Sequence, residues 1–250
     1  MKFQHNYSQN FPAVRDATQR RKKAKKILAA LEKYFHLHDI SGALLLEIGC
    51  SGGAMSEVFA LAGASVTALD IDLSALVNAP RSEKNINNYI LSDAGTTPFP
   101  TETFDIIVCS QVYEHYPNFQ LLIQEIFRLL SPNGICYFSG PNKFAFIEEH
   151  YHLPFLSWVP RRIANIYVRI AGVAEDYYEK PKTFWQLREA MHQFKVIDLT
   201  REILTNPAAY LIEERVSGKF VTIFRVLPNF LWPLIERFVP NFNWVLKKSL

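Results

Sequence analysis

Leu45-Leu46-Glu47-Ile48-Gly49-Cys50-Ser51-Gly52-Gly53 is the stretch on which the fold turns. Residues 43–48 are an apolar run of strand length, and small residues follow at once. Glycine there lets the backbone turn tightly and approach a ligand closely. Helical character resumes over 55–61. A second apolar run covers 65–69 and ends at Asp70, seventeen residues beyond Gly53. An acid at that position can accept hydrogen bonds from both hydroxyls of a ribose.

Working outward, the strand–helix rhythm continues. Residues 88–91 read as a third strand and 104–109 as a fourth. A helix over about 118–130 stops at Ser131-Pro132-Asn133-Gly134, a strong turn signal. Residues 135–139 read as a fifth strand. The rhythm then breaks over 142–182, with a helix at 160–172 inside the break. It returns as a helix over 183–192 and a strand over 194–200. A second irregular stretch covers 205–240, and 242–247 closes the chain as a strand. Upstream, Ala24, Ile27, Leu28, Leu31 and Phe35 recur at three- and four-residue spacings, which predicts a helix over 17–37. Strands alternating with helices imply crossover connections and a parallel sheet. The strand runs are apolar without polar alternation, as expected when both sheet faces are covered. The expectation is one α/β domain over 1–250. Its sheet is Rossmann-like, mainly parallel and seven-stranded, with helices on both faces and a core at 43–140. Two insertions, after strands 5 and 6, are expected to cover a substrate.

Composition narrows the function classes. With 49% hydrophobic residues the chain can bury a large core. The net charge of +3 is owed to the run Arg20, Arg21, Lys22, Lys23, Lys25 and Lys26, without which the rest is slightly acidic. A nucleic-acid partner is not expected, because basic residues form no second cluster. Cys50, Cys109 and Cys136 match no zinc spacing and read as small buried side chains. No leader or apolar run of spanning length is seen, which points to the cytoplasm.

The glycine loop by itself also suits a dinucleotide. Counted from Gly49, however, the dinucleotide pattern wants glycine where this chain has Ser51, although Ala54 meets its last position. Glu47, just ahead of the loop, suits a cationic ligand or an ordering role better than a pyrophosphate.

Five segments in order resemble the class I S-adenosylmethionine-dependent methyltransferases, notably the group that includes the quinone-biosynthesis enzymes. Residues 46–53 are similar to the family's cofactor loop. Residues 66–72 resemble its second strand with the ribose acid. Ser92-Asp93-Ala94 followed by Pro98-Phe99-Pro100 resembles its adenine-contacting turn. Residues 104–110 resemble its fourth strand and 129–134 the turn into its fifth. Ser51 departs from the family's usual glycine. The resemblance implies S-adenosylmethionine as cofactor, held by Glu47, Gly49, Cys50, Ser51, Gly53, Asp70, Ile71, Asp93, Ala94 and Ser110. Each has a plainer role beside it. Gly49 and Gly53 are also natural turn glycines, Asp70 and Asp93 natural caps, and Glu47 a natural loop-ordering group.

Catalysis is expected after the fourth strand, at Ser110-Gln111-Val112-Tyr113-Glu114-His115-Tyr116. His115 is the candidate base for an acceptor hydroxyl, with packing against the cofactor as the alternative. Related quinone O-methyltransferases carry Glu-x-x-Glu-His here, associated with a divalent cation. Gln111 replaces the first of those acids, so no metal site is expected. In the first insertion, His150 and His152 alternate and would share a face on a strand. They join Glu114 as candidate substrate contacts, in a loop that reads as an acceptor cover, a packed loop or a cation site.

Residues 220–240 are rich in large apolar side chains interrupted by Pro228, Pro233 and charges. They read as a packed hairpin, a substrate cover or a surface helix dipping into a bilayer. With the cations of 20–26 left free, weak contact with an anionic membrane is expected. The acceptor is therefore expected to be small or lipid-linked. A cell-surface saccharide, or a non-catalytic cofactor-binding subunit, is the competing expectation. Oligomeric state is left open.

Overall fold

A computed structural model describes residues 16–35, 39–79, 85–212 and 218–249. Seven strands form one sheet: β1 (Leu44–Ile48), β2 (Ser65–Asp70), β3 (Ile86–Leu91), β4 (Phe104–Ser110), β5 (Leu130–Pro141), β6 (Phe194–Asp198) and β7 (Asn241–Lys248). Their spatial order is β3-β2-β1-β4-β5-β7-β6. The first five run parallel, while β7 lies antiparallel between β5 and β6.

The unbroken apolar runs are explained by burial on both faces. Successive side chains point to opposite sides of a sheet. Leu46, Ile48, Ile107, Cys109, Phe138 and Trp244 pack into one core beneath α4 (Phe119–Leu129) and α6 (Phe184–Ala190). Leu45, Val66, Ile106, Val108, Tyr137 and Val245 pack into the other. There they meet α1 (Ala17–Phe35) and α2 (Ala54–Leu61) through Ala24, Ile27, Leu31 and Phe59. Residues 36 and 37, expected to extend α1, lie outside the described residues.

Several expectations are corrected. Ser131-Pro132-Asn133-Gly134 does not separate helix from strand. β5 begins at Leu130, directly after α4, and the four residues bulge between the pairs Phe104–Leu130 and Ile106–Ile135. A short helix α3 (Leu73–Val77) follows β2 and is capped by Asp72, whose carboxylate accepts from the Ser74 and Ala75 amides at 2.9 and 3.3 Å. The cap role considered for Asp70 therefore belongs to its neighbour. The first insertion holds α5 (Arg161–Ile170). A short helix α7 (Thr200–Thr205) follows β6, and the second insertion, expected to be irregular, carries α8 (Gly218–Val226), α9 (Trp232–Ile235) and three 3₁₀ turns. The side chains of Phe220 and Ile223 lie outside the described residues. No helix among the described residues is long and apolar enough to cross a membrane.

The cations of α1 are not free. Arg20 turns inward, Arg21 pairs with Glu57 at 2.6 Å, and Lys26 donates to Asn243 Oδ1 at 2.7 Å. Sequence periodicity marked the apolar face of this helix but carried no sign of acceptors supplied by distant strands.

Candidate functional site

The carboxyl ends of β1, β2 and β4 open onto a cavity of about 560 Å³. In parallel α/β sheets this is where ligands bind. Directly after β1, Gly49 takes φ +76°, and a side chain there would drive into Val112 Cγ2 at 2.5 Å. Gly53 takes φ +75° at the start of α2, against the Tyr89 ring. Between them Ser51 also adopts a left-handed φ of +49°. An L-residue there is strained by about 1–2 kcal/mol, which is why glycine suits the position better.

Asp70 organises the opposite wall. Oδ2 accepts the Ser51 amide at 2.6 Å and Oδ1 the Asp72 amide at 2.9 Å. A carboxylate has about four acceptor sites, so each oxygen retains one, and Asp70 faces the cavity. Burial raises its pKa against those two amide hydrogen bonds.

The other expected contacts divide. Gly49, Ser51, Asp70, Ile71 and Ala94 line the cavity, as do His115, His150 and His152. Glu47, Cys50, Gly53, Asp93, Ser110 and Glu114 stand behind that surface. Glu47 is fully buried, accepts the Ser56 hydroxyl at 2.5 Å and lies 3.5 Å from Arg20. Burial lifts its pKa to about 7 despite Arg20. Cys50 packs against Ala68 and Leu76, and Ser110 shares a hydrogen bond with Ser139 at 2.7 Å. Asp93 shapes its turn by accepting the Gly95 amide at 2.8 Å, and it accepts the Tyr116 hydroxyl.

Several cavity residues were not anticipated. Asp16, Gln19, Arg20 and Lys23 of the α1 segment form one side. Arg20 Nη2 donates to the carbonyls of Gly49 and Cys50 at 3.1 and 3.2 Å, clamping the glycine loop from outside. Gln111, also left-handed at φ +59°, donates to Asn241 Oδ1 at 3.1 Å and so ties β4 to β7. Tyr116 completes the wall near Ala94. A strand-end acid or a small-residue loop announces itself in sequence, whereas these residues reach the cavity through tertiary contacts.

The first insertion brings a polar cluster against the end of β4. His150 and His152 are not on a strand. His150 sits in a turn with its Nδ1 3.1 Å from Glu148, and exposed His152 has φ +55°. The His150 ring meets the His115 ring edge-to-face at 5.3 Å. Burial opposes charge on His150, but Glu148, Glu114 and Glu179 outweigh it and push its pKa up to about 9. Burial and that charge hold His115 down at about 3. Glu114 is fully buried, and its pKa rises to about 8. Neither of its carboxylate oxygens has a hydrogen-bond partner among the described residues, and one lies 3.7 Å from His115 Nε2. Glu114, His115 and His150 each bring one ligand atom within 4.8 Å of the others. A carboxylate and two imidazoles suit a divalent cation, so the fold assembles a candidate site where the sequence led us to expect none.

Comparison with known proteins bears on the sequence of the core and on the fold. Residues 46–138 match a family model described as a methyltransferase domain. A ubiquinone biosynthesis O-methyltransferase of Pseudomonas fluorescens (strain Pf0-1) is 31% identical over 129 residues, covering 47% of this chain and 55% of that relative. The corresponding protein of Glaesserella parasuis serovar 5 is 38% identical over 112 residues, or 42% and 48%. The chain thus spans about half the length of these curated relatives. Among solved structures, the plantazolicin methyltransferase BpumL, in complex with a monoazolic desmethylPZN analog and SAH, superposes with a TM-score of 0.61 at 17% identity. That match covers 97% of this chain and 89% of BpumL. YcgJ from Bacillus superposes at 0.55 and 11% identity, over 91% and 99%. At these identities the likeness is one of fold.

Proposed function

We propose that this chain is a class I S-adenosylmethionine-dependent methyltransferase, as its match over residues 46–138 supports, and that it transfers the methyl group of S-adenosylmethionine to a hydroxyl on a small or lipid-linked acceptor. One observation carries this: Asp70, the Gly49–Ser51 loop and His115 face a single cavity. The matched curated relatives bear the name O-methyltransferase, which supports an oxygen acceptor.

Bound S-adenosylmethionine supplies an electrophilic methyl group on a sulfonium. Asp70 would accept the ribose hydroxyls through the acceptor sites its two amide bonds leave open. Ile71 and Ala94 would flank the base, with Asp93 holding the turn in shape through Gly95 and Tyr116. Gly49 and Ser51 allow close backbone approach, while Cys50 and Gly53 set the loop's packing and Ser110 the end of β4. Glu47 acts indirectly, by positioning the Arg20 clamp. His115, held neutral by burial and the His150 charge, would take the acceptor's proton on a ring nitrogen, with buried Glu114 beside it holding the imidazole in place. Glu149, His150 and His152 screen the reaction from water on the insertion side.

A second reading is favoured by the convergence of Glu114, His115 and His150. A divalent cation held there would act as a Lewis acid on the acceptor oxygen. Activity lost to a chelator and restored by metal selects this reading, and indifference to chelation removes it.

Calorimetry with S-adenosylmethionine and S-adenosylhomocysteine tests the cofactor. Asp70→Ala should weaken both by about tenfold to a few hundredfold, the worth of charge-assisted hydrogen bonds. Unchanged affinity in the folded variant overturns the ribose role, and binding of neither ligand by the wild type overturns the proposed function.

A further inference from the structure

Ile71, Ser92, Ala94 and Tyr116 wall one part of the cavity. Adenine placed between Ile71 and Ala94 brings an amino group, which offers donors and has to be met by an acceptor once water is excluded. Asp93 belongs to the turn expected to contact adenine, yet its side chain stands behind the cavity surface. The side chain that both lines the cavity and bonds to Asp93 is Tyr116.

The turn is shaped around this tyrosine. The Tyr116 hydroxyl donates to Asp93 Oδ1, and the same oxygen accepts the Gly95 amide at 2.8 Å. A Cβ added at Gly95 would strike the Tyr116 hydroxyl and lie 2.9 Å from its Cζ. Burial, and then the hydrogen bond to Asp93, raise the Tyr116 pKa, so the phenol keeps its proton near neutral pH. An untethered hydroxyl can rotate to give or to receive a hydrogen bond and so tells amino from carbonyl groups poorly. Here the proton is directed at Asp93. That contact fixes the polarity of the phenolic oxygen as an acceptor, and donating to a carboxylate strengthens it in that role.

We propose that Tyr116 reads the amino group of the cofactor's base: its hydroxyl, with the proton committed to Asp93, accepts a hydrogen bond from adenine and refuses a carbonyl at the same place. Asp93 is then a positioning residue that acts through Tyr116. This inference rests on the cavity being the S-adenosylmethionine site, and it adds the group that selects an amino purine over an oxo purine.

Calorimetry on the full chain tests it with S-adenosylhomocysteine and S-inosylhomocysteine, in which a carbonyl replaces the amino group. The wild type is expected to bind the adenosine form more tightly by about tenfold or more. Tyr116→Phe keeps the ring and removes the acceptor, so the preference should fall to within about threefold through weaker binding of the adenosine form. Its affinity for the inosine form should stay at the wild-type value, which also reports that the variant is folded. Asp93→Asn removes the charge that commits the proton. The hydroxyl can then turn and donate, so the preference should narrow through tighter binding of the inosine form. Unchanged preference in either variant overturns the proposal. Equal weakening of both ligands by Tyr116→Phe makes the tyrosine a packing residue and overturns it too, as does a preference lost in Ser92→Ala alone. A wild type that binds both forms alike sinks this proposal and leaves the methyl-transfer reading standing, whereas one that binds neither removes that reading and this proposal with it.

Discussion

Arg20 Nη2 lies 3.5 Å from Glu47 Oε1 while donating to the carbonyls of Gly49 and Cys50, so one guanidinium joins the N-terminal helix, the end of β1 and the glycine loop. Arginine suits the task because its planar fork presents several donors at once. The loop is therefore held from two sides, by Arg20 on its carbonyls and by Asp70 on the Ser51 amide.

This pair sets a pH dependence. The folded pKa of Glu47, about 7, lies above its reference value of 4.5. The folded state therefore binds the proton more tightly than the unfolded chain. The stability from that proton is fully present below about 4.5 and is lost as pH rises through about 7. Its full extent is on the order of 3 kcal/mol at most. Chemical denaturation of Glu47→Gln at pH 5 and pH 8 should show a smaller drop between the two than the wild type. Arg20→Met removes the opposing charge and should show a larger drop. Identical pH slopes in all three proteins would refute the assignment.

Ser51→Gly should stabilise the protein. Serine at φ +49° meets a steric penalty that glycine avoids, partly offset by glycine's greater freedom in the unfolded chain. A gain of about 0.5–1 kcal/mol is expected, visible as a Tm rise of a few degrees by calorimetry. A lower Tm would mean that the buried hydroxyl outweighs the backbone strain.

His115→Ala should lower turnover by about 10²–10⁴-fold while leaving S-adenosylmethionine affinity nearly unchanged, if the imidazole takes the acceptor's proton. The opposite pattern, weaker cofactor binding with turnover surviving at saturation, would make His115 a packing residue.

Trp232 and Phe230 should part company. Trp232 is buried in the core, stacked edge-on with Phe224 and lying 5.7 Å from the Arg201 guanidinium, whereas Phe230 is 76% exposed. Trp232→Ser should cost about 3–5 kcal/mol in chemical denaturation, and Phe230→Ser within about 0.5 kcal/mol. Equal losses would mean that residues 228–238 pack differently.

These contrasts show what was legible in the sequence. The order of strands, the glycine loop and Asp70 could be read because their chemistry is local: small residues at a strand end, then an acid at the end of the next strand. The outward-looking cations of α1 could not be assigned, since the carbonyls Arg20 serves lie 29 and 30 residues away. His150 was noticed as part of a polar loop, but the strand alternation inferred for it does not exist, and its approach to His115 depends on how the insertion folds back. Trp232 and Phe230 looked alike in an apolar run broken by prolines, where no period separates inside from outside. The bulge at 131–134 was hidden because a turn signal and a bulge draw on the same residues.

The position of β7 has a consequence for how the chain assembles. β5 and β6 are not bonded to each other; each is bonded to β7, which follows both in the sequence. During synthesis the flank of β5 therefore stays unsatisfied through the making of both insertions, a long, apolar edge open to mispairing. Asn243 then does more than complete a ladder. Its side-chain oxygen accepts Lys26 of α1 and the Tyr137 hydroxyl of β5, and its amide donates to Thr200 of α7. A single asparagine of β7 thus gathers helix α1, a central strand and the helix that follows β6. On a ribosome, α1 and β5 wait for β7.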